Sequence, residues 1–389
     1  MDKLGQRIAA LVLLVAISLG GVVWGAQGMT IDYRQPTSGA ETVLTVDGEA
    51  VGADEYASYM YFLVMSSLAS YRQTAMMFGM DGSQITVEGV GAEMDPYLAE
   101  MTRDQVANVH LVLQKMEENG LTVPYALRRD MKRAQDAEIE SLGGAEAYRD
   151  LLAYNGFDEQ GFANMNYFRA CVSVLNDYYF GEDGAAVPSE TELMQAFCDN
   201  YLAAKHILIV TTDAATGEQK RTDEQARAEA QAILDRIRAG EDFDALVAAY
   251  GEDPGMASQP NGYIFTEGDM VTEFYEGAKA LDEGEVSELV KSPYGYHIIQ
   301  RVPLDSKADW EQYRDVLIAK TAGTITDLME TWAADADVQT TALYDTISYQ
   351  NMRDYLPAEV QARLDAMDAA AQAEQDAQDT PDGQTETAE

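Results

Sequence analysis

Ala204-Lys205-His206-Ile207-Leu208-Ile209-Val210 is the run on which the reading of this chain turns. It is rich in β-branched and apolar residues and reads as a strand, where the texture changes at Ala203 after a long helical stretch. C-terminal to this strand, a polar loop with Thr216-Gly217 comes first. Thr222 and Gln225 then stand at capping-box spacing, ahead of an amphipathic helix to about Ala239 with Ala230, Ile233, Leu234 and Ile237 on one face. Gly240 stops it, and Phe243, Leu246, Val247 and Tyr250 mark a further short helix. Gly251 to Asn261 reads as a loop, Tyr263 to Phe265 as a short strand, and Val271 to Ala280 as a helix closed by the Asp282-Glu283-Gly284 turn. Ser287 to Val290 and Tyr296 to Val302 read as strands joined through Pro293-Tyr294-Gly295. The order is β-α-α-β-α-β-β, the size of one small α+β domain at 201–303.

Working outward, the region 41–200 is mostly helical. Val43-Leu44-Thr45-Val46 alternates like a strand and meets the Asp47-Gly48 turn. From Asp54 the apolar spacing is helical, and further helices run roughly over 94–118, 123–142, 145–154 and 158–179, with Ser189 and Glu192 forming another capping box. Tyr56 to Met80 is dense in Tyr, Phe and Met; such residues suit an adaptable binding surface and equally a helical core. Beyond Pro303 the segment 304–356 returns to helix, from about Lys307 to Ala334. The last stretch, 364–389, has no basic residue and no apolar period, and reads as an acidic disordered tail.

The first 28 residues carry Lys3 and Arg7, then an uncharged apolar run from Ile8 to about Ala26. That is an export signal close to the length of a membrane-spanning helix. It is either cleaved or retained as an anchor, and the rest lies outside the cytoplasm because the positive flank stays inside.

With 67 acidic residues against 26 Lys and Arg, the 389-residue chain carries a formal net charge of −41. A nucleic-acid binder gains affinity by neutralising phosphates, so that class is excluded. Cationic or neutral polypeptides remain as partners. Three histidines (His110, His206, His297) do not make a His-rich metal site. Two cysteines, Cys171 and Cys198, are too few for a disulfide scaffold. They read as small buried residues, with a pairing in an oxidising space left open.

The blocks Lys205 to Ile209, Gly240-Glu241-Asp242-Phe243, Tyr250 to Gly255, Phe265 to Val271 with Phe274, Gly284 to Ser287, and Tyr294 to Ile299 occur in order. Together they resemble a parvulin-type peptidyl-prolyl isomerase domain. The resemblance implies that His206 and His297 sit together beneath the site, with Asp253 near the reacting amide. Ser292 and Tyr294 would be linked to the histidines by their hydroxyls. Met270 and Phe274 would hold the proline ring, with Tyr263 or Phe265 as the third wall. It implies no metal and no cofactor. The loop after the first strand mixes Lys220 and Arg221 with acidic residues, so no selectivity for phosphorylated substrates is implied.

The layout of the flanks is similar to that of the PrsA and SurA foldases. The resemblance implies an anchored, extracytoplasmic isomerase that assists unfolded, proline-containing exported polypeptides, with the segment 304–356 packing back on the helical region. The alternative is a non-catalytic holdase in which the parvulin domain is scaffold.

Overall fold

The computed structural model describes residues 40–212, 217–304 and 309–378. They fall into two compact units, one made of residues up to 185 together with those from 324 onward, the other of residues 186–323. The architecture is α+β, as the patterning predicts. The apolar segment of residues 1–28 lies outside the described residues. Among the described residues no helix is long and apolar enough to cross a membrane.

In the first unit, strands β1 (Thr42–Val46) and β2 (Glu49–Gly52) form a hairpin. Asp47 and Gly48 both take positive φ, 49° and 87°, as a two-residue turn that matches strand twist requires. Helix α1 (Ala53–Met77) follows directly and packs on α2 (Val87–Glu118), burying Tyr56, Met60, Leu63 and Val64. Helices α3 (Tyr125–Ser141), α4 (Ala145–Tyr154) and α5 (Glu159–Phe180) follow.

The C-terminal residues enter this unit in two ways not legible in the sequence. Val338–Thr340 forms strand β7, antiparallel to β1 with Leu44 opposite Thr340, giving a three-stranded sheet. Three residues carry too little period to announce a strand. The predicted acidic disordered tail is also corrected over 364–378. Helix α12 (Ala358–Gln378) buries Val360 and Leu364, and Arg353 pairs with Asp365 and Asp368. A narrow seam of a few apolar residues on an Ala- and Gln-rich helix suffices once a partner surface exists.

The helix expected from about Lys307 to Ala334 is instead two helices, α10 (Arg314–Ala322) and α11 (Ile325–Asp335). Gly323 at φ 82° ends the first, and Thr324 opens the second through a capping box with Asp327. Both cysteines are free; Cys171 is buried but Cys198 is exposed. Helix α6 (Glu190–Asn200) turns Leu193 and Phe197 inward and leaves Cys198 on its outer side.

The second unit is built on a four-stranded antiparallel sheet of order β4-β3-β6-β5. β3 is Leu202–Val210, β4 Tyr263–Phe265, β5 Val290–Ser292 and β6 Gly295–Val302. The strand predicted at Ser287 to Val290 is displaced. Ser287 donates its N–H to the Ile299 carbonyl and accepts the Ile299 N–H at its Oγ, and ladder pairing begins at Val290 opposite His297. The two-residue period of a strand sorts the side chains. Ile207, Ile209, Tyr296 and Ile298 face helices α7 (Asp223–Arg238) and α8 (Phe243–Tyr250). Ala204 and Ile299 face the other way, into a cluster with Phe265, Phe274 and Ala278 of helix α9 (Thr272–Lys279). His206 and His297 share this second face. Gly295, at φ 151°, lets β6 begin hard against β3: a Cβ there would meet the Ile209 carbonyl oxygen at 2.1 Å.

Candidate functional site

Strand register brings the two histidines together. His206 pairs in the ladder with Ile299, and His297 with Leu208, so the rings are diagonal neighbours on one face. They lie nearly parallel, 13° apart, with Nδ1 to Nδ1 at 3.0 Å. Each outer nitrogen has its own partner. His206 Nε2 is 2.7 Å from Asp253 Oδ2, and His297 Nε2 is 2.7 Å from Ser292 Oγ. The Tyr294 backbone N–H donates to Ser292 Oγ at 3.1 Å.

Asp253 is held from three sides. Beside the His206 bond, Tyr263 Oη donates to Oδ2 at 2.7 Å and the Gly255 N–H donates to Oδ1 at 3.0 Å. The His206 bond above all, then the Tyr263 and Gly255 donors, hold its carboxyl well below the usual carboxylate range. The Asp253-Pro254-Gly255 turn thus both shapes the loop and aims a charge. Burial, and next the adjacent carboxylate, push the Tyr263 phenol up, so it stays a donor.

These partners fix the order of protons. An ionised Asp253 only accepts, so His206 donates from Nε2. Its Nδ1 then accepts from His297 Nδ1–H when both rings are neutral, and His297 Nε2 accepts from Ser292 Oγ–H. Burial first, and the neighbouring His206 second, push His297 down to about 3. A depressed histidine contributes stability that is fully present above its unfolded value of about 6.5 and is lost as pH falls towards the folded value. The prediction is that the His297 ring resonances stay fixed between about pH 8 and about pH 5 in an NMR titration. Protonation of His297 with a midpoint near 6.5 would show that burial and His206 do not hold it down.

The pair forms one wall of a cleft of about 730 Å³ lined also by Leu208, Asp253, Tyr263, Met270 and Phe274. Phe274 is buried and sits edge-on to both histidines, with ring centroids 5.0 Å from His206 and 5.5 Å from His297. Of the two alternatives for the third wall, Tyr263 lines the cleft. Phe265 is buried behind Phe274, centroids 5.5 Å apart. Tyr294 is corrected in one respect: it reaches the histidines through its backbone amide, and its half-exposed ring lines the cleft mouth.

One feature of the cleft's edge has little signal in the sequence. Arg221 donates to the Val210 carbonyl at 2.6 Å and, from Nη2, to Glu252 Oε1 at 2.8 Å, while Glu252 Oε2 accepts from the Val210 N–H at 2.7 Å. This clamp ties the end of β3 to the residue next to Asp253. Among the described residues no group of three or more His, Cys, Asp or Glu is placed to hold a metal ion.

Residues 206–302 match the family model described as a PPIC-type PPIase (rotamase) domain. Over 98 residues the chain is 43% identical to the chaperone SurA of Alkalilimnicola ehrlichii, a match covering 25% of this chain and 22% of that one. Over 131 residues it is 39% identical to the foldase protein PrsA of Geobacillus kaustophilus, covering 33% and 41%. Among solved structures it is similar to the parvulin of Nitrosopumilus maritimus, at 33% identity, covering 27% of this chain and 97% of that chain with a TM-score of 0.21. The chain spans less than half the length of either of these two curated relatives.

Proposed function

We propose that this chain, which carries a PPIC-type parvulin domain over residues 206–302, is an extracytoplasmic foldase that catalyses cis–trans isomerisation of X–Pro bonds in exported polypeptides. The observation that carries the reading is an ionised carboxylate, Asp253, held at the edge of an apolar slot floored by Phe274 and the histidine pair.

The chemistry needs no bond to break. Amide resonance gives the C–N bond its rotation barrier of about 18–20 kcal/mol. The planar form places partial negative charge on the carbonyl oxygen. The twisted form places less. Met270, Phe274 and Tyr263 would take the proline ring. A carboxylate fixed beside the carbonyl then disfavours the charge-separated planar state relative to the twisted one, an electrostatic preference set up in advance. The histidines keep Asp253 ionised and aimed and move no proton to the substrate. The N-terminal apolar segment would hold the protein at the membrane, or be cleaved.

The experiment is a prolyl-isomerisation assay on an unphosphorylated peptide. A rate well above the uncatalysed one, which takes tens to hundreds of seconds, is expected, with no gain from phosphorylating the residue before proline. No rate above background from a folded protein would remove the enzyme reading. It would leave the holdase, tested by whether the chain suppresses aggregation without the parvulin domain.

A further inference from the structure

The Tyr-, Phe- and Met-dense run from Tyr56 to Met80 divides at the end of α1. Tyr56 to Leu68 supplies core residues, but Met76, Met77, Phe78 and Met80 are 66%, 73%, 74% and 58% exposed. Four large apolar side chains within five residues, all mostly in solvent, form a patch rather than scattered surface residues.

This end is built and held. Met80 N–H donates to the Ala75 carbonyl at 2.9 Å and Gly79, at φ 70°, to Met76 at 3.0 Å, a closed helix terminus of the Schellman kind. The chain then folds back. Arg72 donates twice to the Ile85 carbonyl, at 2.8 and 3.1 Å. Gly82 is buried against Arg72, where a Cβ would lie 3.2 Å from the Arg72 carbonyl oxygen. Asp81 accepts from the Ser83 N–H. The exposed side chains are therefore displayed by a pinned turn, and thioethers fit irregular apolar partners.

The charges along this stretch of chain are mostly negative. Between 69 and 95 the acidic residues are Asp81, Glu88, Glu93 and Asp95, and the single cation, Arg72, is spent on the Ile85 carbonyl. Tyr71, one turn back, has its hydroxyl beside the Glu93 carboxylate. The last turn of α1 carries no basic residue, so no side-chain cation offsets the negative end of its dipole.

We infer that the Met76–Met80 turn is a docking surface for unfolded polypeptide segments that combine apolar side chains with Lys or Arg. Apolar contact supplies the attraction, and the acidic surround selects cationic flanks and repels acidic ones. A second copy of this chain, itself at −41, would bring like charge, and an anionic bilayer is disfavoured for the same reason. The inference rests on the foldase reading and names the clients it would hold.

The test uses the full chain, a labelled peptide of Leu, Phe and Lys, and its counterpart with Glu in place of Lys. Binding of the Lys peptide is expected to weaken about 10-fold or more when Met76, Met77, Phe78 and Met80 are all changed to Ser. Glu88→Gln with Glu93→Gln is expected to narrow the preference for Lys over Glu. Turnover of a short X–Pro peptide and the far-UV spectrum should stay unchanged in both variants, since these residues are exposed and outside the cleft. Unchanged affinity in the Ser variant, or equal binding of the two peptides by the unaltered chain, overturns the proposal. So does a dimer that only the unaltered chain forms, or binding to anionic vesicles that only the Ser variant loses. Turn-dependent peptide binding without any isomerase activity would support this surface while removing the enzyme reading.

Discussion

Asp253→Ala is expected to lower kcat for prolyl isomerisation about 100-fold, equivalent to about 2.7 kcal/mol at the barrier. Removing a single preorganised electrostatic group typically costs about 10²–10³ in rate. The lower end applies because the Asp253 side chain is 21% exposed and water partly screens it. The loss should fall on kcat, with KM unchanged or lowered, since the carboxylate raises the planar bound state relative to the twisted one. Asp253→Asn separates charge from shape. Its single oxygen can still accept from His206 and Tyr263, as Oδ2 does, but its amide nitrogen cannot accept from the Gly255 N–H, and it carries no charge. A rate near that of the Ala variant supports the electrostatic role. A near-normal rate for Asn would reduce Asp253 to a group that steers the His206 ring. The pH dependence has a definite sign. The folded carboxyl lies below its unfolded value of about 3.9. Its ionised form, and the stability it contributes, are therefore complete above that value and are lost only as pH falls through the lower folded one. Activity that declined already between pH 7 and 5 in step with protonation of Asp253 would contradict this.

The second unit was legible because its local signals agree. In Lys205 to Val210 the β-branched content marks a strand, and the two-residue period puts His206 opposite the face of Ile207 and Ile209. The same period in Tyr296 to Ile299 puts His297 there too. What the sequence could not supply was register and reach. Nothing in Asn261-Gly262-Tyr263-Ile264-Phe265 says which aromatic is wall and which is backing. Pairing of Ala204 with Tyr263 on β3 decides it, and places the Tyr263 hydroxyl on Asp253. The Arg221–Glu252 clamp was hidden for a similar reason. Both residues sit among other charges, and only the fold brings positions 31 apart within bonding distance. In the first unit, β7 and α12 depend on partners contributed by residues hundreds of positions away, so their own short or Ala-rich sequences read as irregular.

Phe274→Ala is expected to produce the largest loss of stability, about 3–5 kcal/mol in the second unit. Phe274 is 3% exposed and touches everything the site depends on: both histidines, Phe265 behind it, and the cleft in front. Truncation to Cβ would leave a cavity between α9 and the sheet that β3 and β6 cannot collapse to fill, since their backbones are fixed by an eight-residue ladder. Against a typical domain stability of about 5–15 kcal/mol this removes a large share, and the slot loses its floor as well. The chain has two units, so one melting curve would mix their transitions. Hydrogen exchange of the β3 and β6 amides reads the right one. Their protection should fall by about 10²–10³ or more, at about 1.4 kcal/mol per tenfold, while that of α1 and α2 is unaltered. Phe274→Leu keeps much of the volume and should cost under about 1.5 kcal/mol, while still raising KM because the flat face against the proline ring is gone. Met270→Ala should raise KM with little effect on protection, because Met270 only partly packs against that core. If Phe274→Ala left β3 protected, the ring would be wall alone, and the histidine pair would have to be held by its hydrogen bonds without it.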